Sequence, residues 1–231
     1  MAALEEFGSE IWTANGPILK AGGGFEYPTR MVTIRLSNGG LFIWSPVLLT
    51  EELRNEVNSL GGVQHLIAPN TLHDTFLQEW ATAYPSAKVH TAPRPSQLKG
   101  PPAPSKQLGR SPEPEWANEI EQVIIAGNFI TTEVWFFHRR SSTLLITDLV
   151  QHFEPNWFSG WRSLVAKLDL LSAQQPEVPR KFRVAFYDRQ HARKAVDEAL
   201  RWPIERVIMA HAPPILANGT EFVRRAFRWL V

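Results

Sequence analysis

The chain has 231 residues, a formal net charge of +1, 44% hydrophobic and 20% charged residues, and no cysteine. That length and composition predict one globular domain over residues 1–231 with a full apolar core. They exclude disulfides, thiolate metal sites and cysteine nucleophiles, and the near-neutral charge leaves no general pull toward nucleic acid or an anionic membrane.

The opening residues 1–6 are acidic and lack a basic leader followed by an apolar stretch, so no signal peptide is expected. No apolar run approaches the roughly 20 residues of a membrane span. Both features, with the lack of cysteine, predict a cytoplasmic protein. Residues 11–13 and 30–36 read as strands, the second rich in β-branched residues. Asn38-Gly39-Gly40 is a hairpin turn, and 41–45 returns. Thr50 is placed as an N-cap, with Glu51 and Glu52 in the first turn and Leu53, Val57 and Leu60 on one face. Gly61-Gly62 ends that helix.

A strand over 63–68, a helix over 74–83 and a strand over 87–90 form a βαβ unit, which favours parallel pairing. Residues 91–114 are rich in proline and predict an exposed loop or lid without a packed element. Strands follow over 120–126, 133–138 and 144–148, then a helix over 161–171. Residues 183–187 read as a strand, 189–200 as a helix, 206–210 as the last strand and 220–230 as an amphipathic helix. Antiparallel strands, a βαβ unit, more antiparallel strands and a closing αβα predict two mixed sheets between helices.

Several apolar runs end in side chains of metal-binding type. Residues 134–137 lead to His138, 144–147 to Asp148, 207–210 to His211, and 63–68 to Asn70, His73 and Asp74. Imidazole and carboxylate are ligands of hydrolytic metals, and strand ends hold such groups rigidly. Arg30 is a candidate for an anionic substrate group, with a structural ion pair as the equal alternative; Arg139 and Arg140 could neutralise a carboxylate or phosphate, but a solvated turn accounts for them better. With nine Trp and thirteen Phe, an aromatic pocket is expected, and Trp44 and Trp157 are its candidates. The loop 153–161 should overhang the site. His65, His90, His152 and His191 read as surface or structural. Gly22-Gly23-Gly24 lacks the context of a phosphate cradle. No Ser sits in a Gly-x-Ser-x-Gly elbow, so a serine hydrolase is not expected.

Five stretches together resemble the metallo-β-lactamase superfamily: Tyr27-Pro28-Thr29-Arg30-Met31, residues 41–46, residues 68–73 with Trp80, residues 137–148, and Ala210-His211-Ala212-Pro213. The chain is most similar to a branch of unknown function. The resemblance implies an αββα sandwich of α/β (α+β) class with a metal site at one edge. Active members carry His-x-His-x-Asp-His after an early strand, then a later His, a bridging Asp and a last His. Here residues 69–74 stand in place of the first motif, keeping His73 and Asp74 in reversed order with Asn70 as a third polar group. His138 looks like the later His, Asp148 like the bridging Asp and His211 like the last His.

The eroded first motif implies at most a single-metal site at His73, Asp148 and His211, with His138 or Asp74 nearby and zinc, manganese or iron as the divalent ion. The substrate expected is a small organic molecule with an acyl or ester-like carbonyl, hydrolysed when metal is bound. The alternatives are a metal-free lyase, isomerase or cyclase using His/Asp acid–base chemistry in the same cleft, and a non-catalytic ligand-binding module.

Overall fold

The computed structural model describes residues 4–94 and 104–230. In chain order the strands are β1 (Glu5–Gly8), β2 (Ile11–Asn15), β3 (Leu19–Lys20), β4 (Glu26–Tyr27), β5 (Arg30–Arg35), β6 (Gly40–Trp44), β7 (Gly62–Ala68), β8 (Lys88–Thr91), β9 (Lys106–Gln107), β10 (Ile120–Ile125), β11 (Glu133–His138), β12 (Thr143–Gln151) and β13 (Arg206–His211). The α-helices are α1 (Glu51–Leu60), α2 (Leu77–Ala83), α3 (Trp161–Leu168), α4 (Arg180–Ala185), α5 (Arg189–Ala199) and α6 (Gly219–Ala226). Two larger sheets result, one ordered β1-β2-β5-β6-β7-β8-β9 and the other β10-β11-β12-β13, while β3 and β4 form a separate ribbon. Both sheets are mixed: β6, β7, β8 and β9 run parallel, as do β12 and β13, and the other pairs are antiparallel.

Period-two alternation divides the apolar side chains among three layers. Val134 and Phe136 of β11 face the first sheet, packing with Val32, Phe42 and Ile67. Their neighbours Trp135 and Phe137 face outward, toward Phe182 of α4, Val196 of α5 and Val223 of α6. On the far side of the first sheet, Leu41, Ile43 and Leu66 meet Leu53 and Val57 of α1 and Trp80 of α2. The architecture is therefore α–β–β–α, with mixed sheets stacked between helical layers. Among the described residues, no helix is long and apolar enough to cross a membrane.

Several local expectations need correction. The strand expected over 183–187 is the end of α4 and its exit: Pro179 precedes α4, and Phe182 turns inward as its buried residue. A short apolar run does not distinguish strand from helix by pattern alone. The helix expected from 74 begins at Leu77. The closing helix breaks after Ala226 into a 3-10 turn, Arg228–Leu230. The helix expected over 161–171 stops at Leu168, and Leu170 has a positive φ of 65°. The proline-rich stretch is not free of packed structure, because β9 adds to the edge of the first sheet and Leu108 is buried in the inter-sheet core. The remainder of that stretch, residues 95–103, lies outside the described residues, and with it the centre of the expected lid.

Candidate metal centre

Three side chains from distant parts of the chain meet at one edge of the sandwich. His73 sits on the loop after β7, Asp148 lies within β12, and His211 ends β13. His73 Nε2 is 3.1 Å from His211 Nε2 and 3.2 Å from Asp148 Oδ2, and His211 Nε2 is 3.4 Å from Asp148 Oδ1. Among the described residues they are the cluster able to hold a metal ion.

Local structure explains each placement. The side-chain carbonyl of Asn70 accepts the Leu72 and His73 amides at 2.9 and 3.0 Å, a turn that swings His73 back over the sheet. The Asn70 amide donates to Asp148 Oδ2 at 2.6 Å and to Thr147 Oγ1 at 2.9 Å. Ser45, just past β6, holds His73 Nδ1 at 2.8 Å. The Pro28 carbonyl lies 2.8 Å from His211 Nδ1 and so fixes the proton on that nitrogen.

Asp148 owes its position to an interruption in its strand. The β12–β13 pairing shifts register between Ile146 and Gln151. In that gap the amides of Thr147, Asp148 and Leu149 do not join the ladder. They donate to the carboxylate of Glu133 at 2.8, 2.8 and 3.1 Å, and the Trp135 indole N–H adds a fourth bond at 3.0 Å. Such irregularities re-aim side chains next to functional sites. Burial and the nearby Asp148 charge push the Glu133 carboxyl upward. Its four accepted bonds nevertheless occupy all its lone-pair positions and leave no place for a proton. Burial would raise the Asp148 carboxyl too, but His73 and His211 outweigh it and hold the group well below the usual carboxylate range.

The three side chains line a cavity of about 420 Å³. Leu72, Phe76, Ile130 and Phe182 make its apolar wall, and Lys181 brings a cation. The Lys181 ammonium donates to the Tyr27 hydroxyl at 3.2 Å and lies 3.7 Å from Asp169. His211 also borders a second hollow of about 300 Å³ containing Arg30, Phe153 and Trp157.

Other expected site residues lie elsewhere. His138 is paired with Thr143 at the opposite end of the β11–β12 hairpin, roughly 16 Å along the strand from Asp148. There it is buried against Ser141 at 2.8 Å. An antiparallel hairpin brings the end of one strand to the start of the next, so His138 and Asp148 cannot share an end. Asp74 forms an ion pair with Arg94 instead of joining the centre. Trp44 is fully buried between the sheets. Arg30 spends its guanidinium on the carbonyls of Met209 and Ala212, at 2.6 and 2.7 Å, and on Asn15 at 3.0 Å. Asn70 orients Asp148 and His73 without lining the main cavity. Trp157 donates to the Glu26 carbonyl and faces the second hollow. The sequence reading missed Ser45, Glu133, Gln151 and Lys181. Its one available signal was Glu133, a charged residue directly before the apolar run 134–137.

The model of one protein family, described as Domain of unknown function (DUF4336), matches residues 19–159, more than half of the chain. The chain belongs to the DUF4336 family. That match includes Asn70, His73, Glu133 and Asp148 and ends before His211. No curated protein matches the sequence. Solved metallo-β-lactamases share the fold of this DUF4336 chain. DIM-1 exposed to ceftazidime superposes with a TM-score of 0.67 at 12% identity, over 98% of this chain and 96% of that one. The enzyme from Pontibacter korlensis gives 0.62 at 13% identity, over 100% and 99%. FIM-1 from Pseudomonas aeruginosa in its mono-zinc form gives 0.65 at 8%, over 100% and 96%. The fold is metallo-β-lactamase-like.

Proposed function

We propose that this protein is a single-metal hydrolase of small acyl or ester-like substrates. The observation that carries this reading is the convergence of two imidazole nitrogens and a carboxylate at separations of 3.1, 3.2 and 3.4 Å on the wall of a cavity. Tetrahedral zinc, with bonds of about 2.0–2.1 Å, sets its ligand atoms roughly 3.3 Å apart. The donor set and its spacing therefore fit one zinc ion held by His73, Asp148 and His211. FIM-1, which shares the fold, is known in a mono-zinc form. A bound divalent ion supplies Lewis acidity toward a carbonyl oxygen and makes water more acidic.

The chain's own residues do the rest. Ser45 and the Pro28 carbonyl orient the two imidazoles through their Nδ1 atoms, leaving both Nε2 atoms directed inward. Asn70 and Gln151, the latter at 3.3 Å, hold the Asp148 carboxylate. Leu72, Phe76 and Phe182 exclude water from an apolar acyl chain.

The test is calorimetric titration of chelator-treated protein with zinc, followed by hydrolysis of p-nitrophenyl acyl esters. One zinc per chain is expected, with turnover that falls at least 100-fold in Asp148→Asn and His211→Ala. Absence of zinc binding in the folded wild type would reject the reading.

A further inference from the structure

A surface helix ordinarily turns its apolar stripe toward the core, but α3 turns its stripe outward. Trp161, Leu164, Val165 and Leu168 recur at helical spacing and share one face. Their exposures are 57, 62, 39 and 57%, so that face meets solvent. The buried residue of the helix is Ala166, on the opposite side. Ala166 rests on a small cluster with Phe153, Phe158 and Leu171. The helix is thus anchored by its small side chain and presents its large ones, an arrangement that marks an interaction surface.

Both ends of α3 are fastened to walls of the 420 Å³ cavity. At the start, the Trp161 ring lies edge-on to Phe25 at 5.7 Å, and Arg162 Nε donates to the Gly23 carbonyl at 2.8 Å. Those two partners belong to the turn of the β3–β4 ribbon, which lines the cavity with Leu19, Lys20 and Tyr27. At the other end, Arg180 donates to the Leu168 carbonyl at 3.0 Å, and the Lys181 amide to Asp169 at 2.6 Å. That segment is α4, which lines the cavity with Lys181 and Phe182. The outward stripe therefore sits beside the cavity, whose own Leu72 and Ile130 are also exposed, at 49 and 41%.

We propose that the outward face of α3 docks on an anionic lipid surface, from which the cavity takes its acyl esters. Charge complementarity selects this occupant. At 100° per residue, Arg162 and Lys167 fall on either border of the stripe, and Arg180 adds a cation at its C-terminal end. The carboxylate at that end, Asp169, is engaged by the Lys181 ammonium at 3.7 Å and by the Lys181 amide. Trp and Leu on one face with Arg and Lys at its borders is the pattern of a helix that lies in the headgroup plane. The net charge of +1 averages this local basic surface over the whole chain. A second copy of the chain suits the face less well, because a two-fold contact through the stripe would set its basic borders against themselves.

The docking stands apart from the metal reading, whereas the supply of lipid-borne esters rests on it. In that reaction water adds to the acyl carbon, the ester C–O bond breaks, and the alcohol oxygen takes a proton. The acyl chain would pass from the bilayer over Leu72 to Phe76 and Phe182 without crossing water.

The test is co-sedimentation of the chelator-treated full chain with vesicles of phosphatidylcholine and phosphatidylglycerol, and with vesicles of phosphatidylcholine alone. Binding to the anionic vesicles is expected, weakening as salt rises and at least tenfold weaker without phosphatidylglycerol. The double variant Leu164→Glu with Leu168→Glu should bind at least tenfold less. Brominated acyl chains should quench wild-type tryptophan fluorescence, and Trp161→Phe should lose most of that quenching. Thermal melts confirm that the variants are folded. With zinc, the double variant should keep its activity on soluble p-nitrophenyl acetate and lose at least tenfold on p-nitrophenyl palmitate held in the anionic vesicles. Folded wild type that does not sediment, or a double variant that sediments equally, overturns the docking. A wild-type dimer in analytical ultracentrifugation that the double variant dissociates assigns the face to a second copy and overturns it as well. Vesicle binding without hydrolysis of either ester refutes the hydrolase reading and the lipid supply, and supports the docking alone.

Discussion

Glu133 is the residue on which the site's geometry depends most, although it lines neither of the two cavities at the site. Its carboxylate replaces a missing stretch of sheet ladder, satisfying three consecutive amides around Asp148. Glu133→Ala would orphan those donors in a dry interior, at a cost of at least about 3 kcal/mol. Glu133→Gln keeps one acceptor and should cost about half as much while weakening zinc binding roughly tenfold. Urea denaturation and zinc titration measure the two effects separately. A second residue-scale prediction concerns acid. His65 and His90 lie against each other with Nδ1 and Nε2 3.4 Å apart, and burial lowers each to about 4. An unfolded histidine titrates near 6.5, so between these values the unfolded chain binds more protons than the native one. The stability these rings contribute is complete above pH 6.5 and is lost as pH falls toward 4. Unfolding measured at pH 7.5 and pH 5 should show a loss of about 2 kcal/mol per histidine. Leucine at both positions should remove that part of the slope.

At the scale of elements, local chemistry controls where helices begin, and packing controls what short apolar runs become. Thr50 caps α1 by accepting the Leu53 amide at 3.2 Å, and Glu51 and Glu52 complement the helix dipole. Thr50→Ala should cost about 1 kcal/mol in urea unfolding with no effect on zinc affinity. That cap, the Asn38-Gly39-Gly40 turn and the parallel βαβ unit were legible in the sequence because each rests on neighbouring residues. The 183–187 segment was not. Its apolar spacing suits a strand, but Pro179 and the inward burial of Phe182 make it a helix against the second sheet. The shift within β12 was equally hidden, because the residue that compensates it, Glu133, lies on another strand.

At the scale of the molecule, the candidate centre joins the two sheets. His73 follows a strand of the first sheet, and Asp148 and His211 belong to the second. An ion bound only by the folded arrangement stabilises it by mass action, about 2.7 kcal/mol at a hundredfold excess over its dissociation constant. Zinc should therefore raise the melting temperature of the wild type by several degrees and leave Asp148→Asn unchanged. Differential scanning calorimetry checks this, and an equal shift in both proteins would place the ion elsewhere.

The sequence by itself determined the layer architecture, since the continuous apolar run of β11, buried on both faces, and the amphipathic spacing along α1 are covalent facts that any compact fold must bury. It also marked His73, Asp148 and His211 as ligand-type side chains following apolar runs, although only His211 ends its strand, Asp148 lying within β12 and His73 on the loop after β7. Tertiary structure alone decided which of the marked residues meet. His138 and Asp148 lie on paired strands, but antiparallel pairing sends them to opposite ends. Ser45 gained its histidine, and Asp148 its supporting carboxylate, through strand neighbours distant in the chain. Periodicity records which face a residue occupies, whereas register and strand direction set its position along that face, and those are fixed only when the sheets assemble.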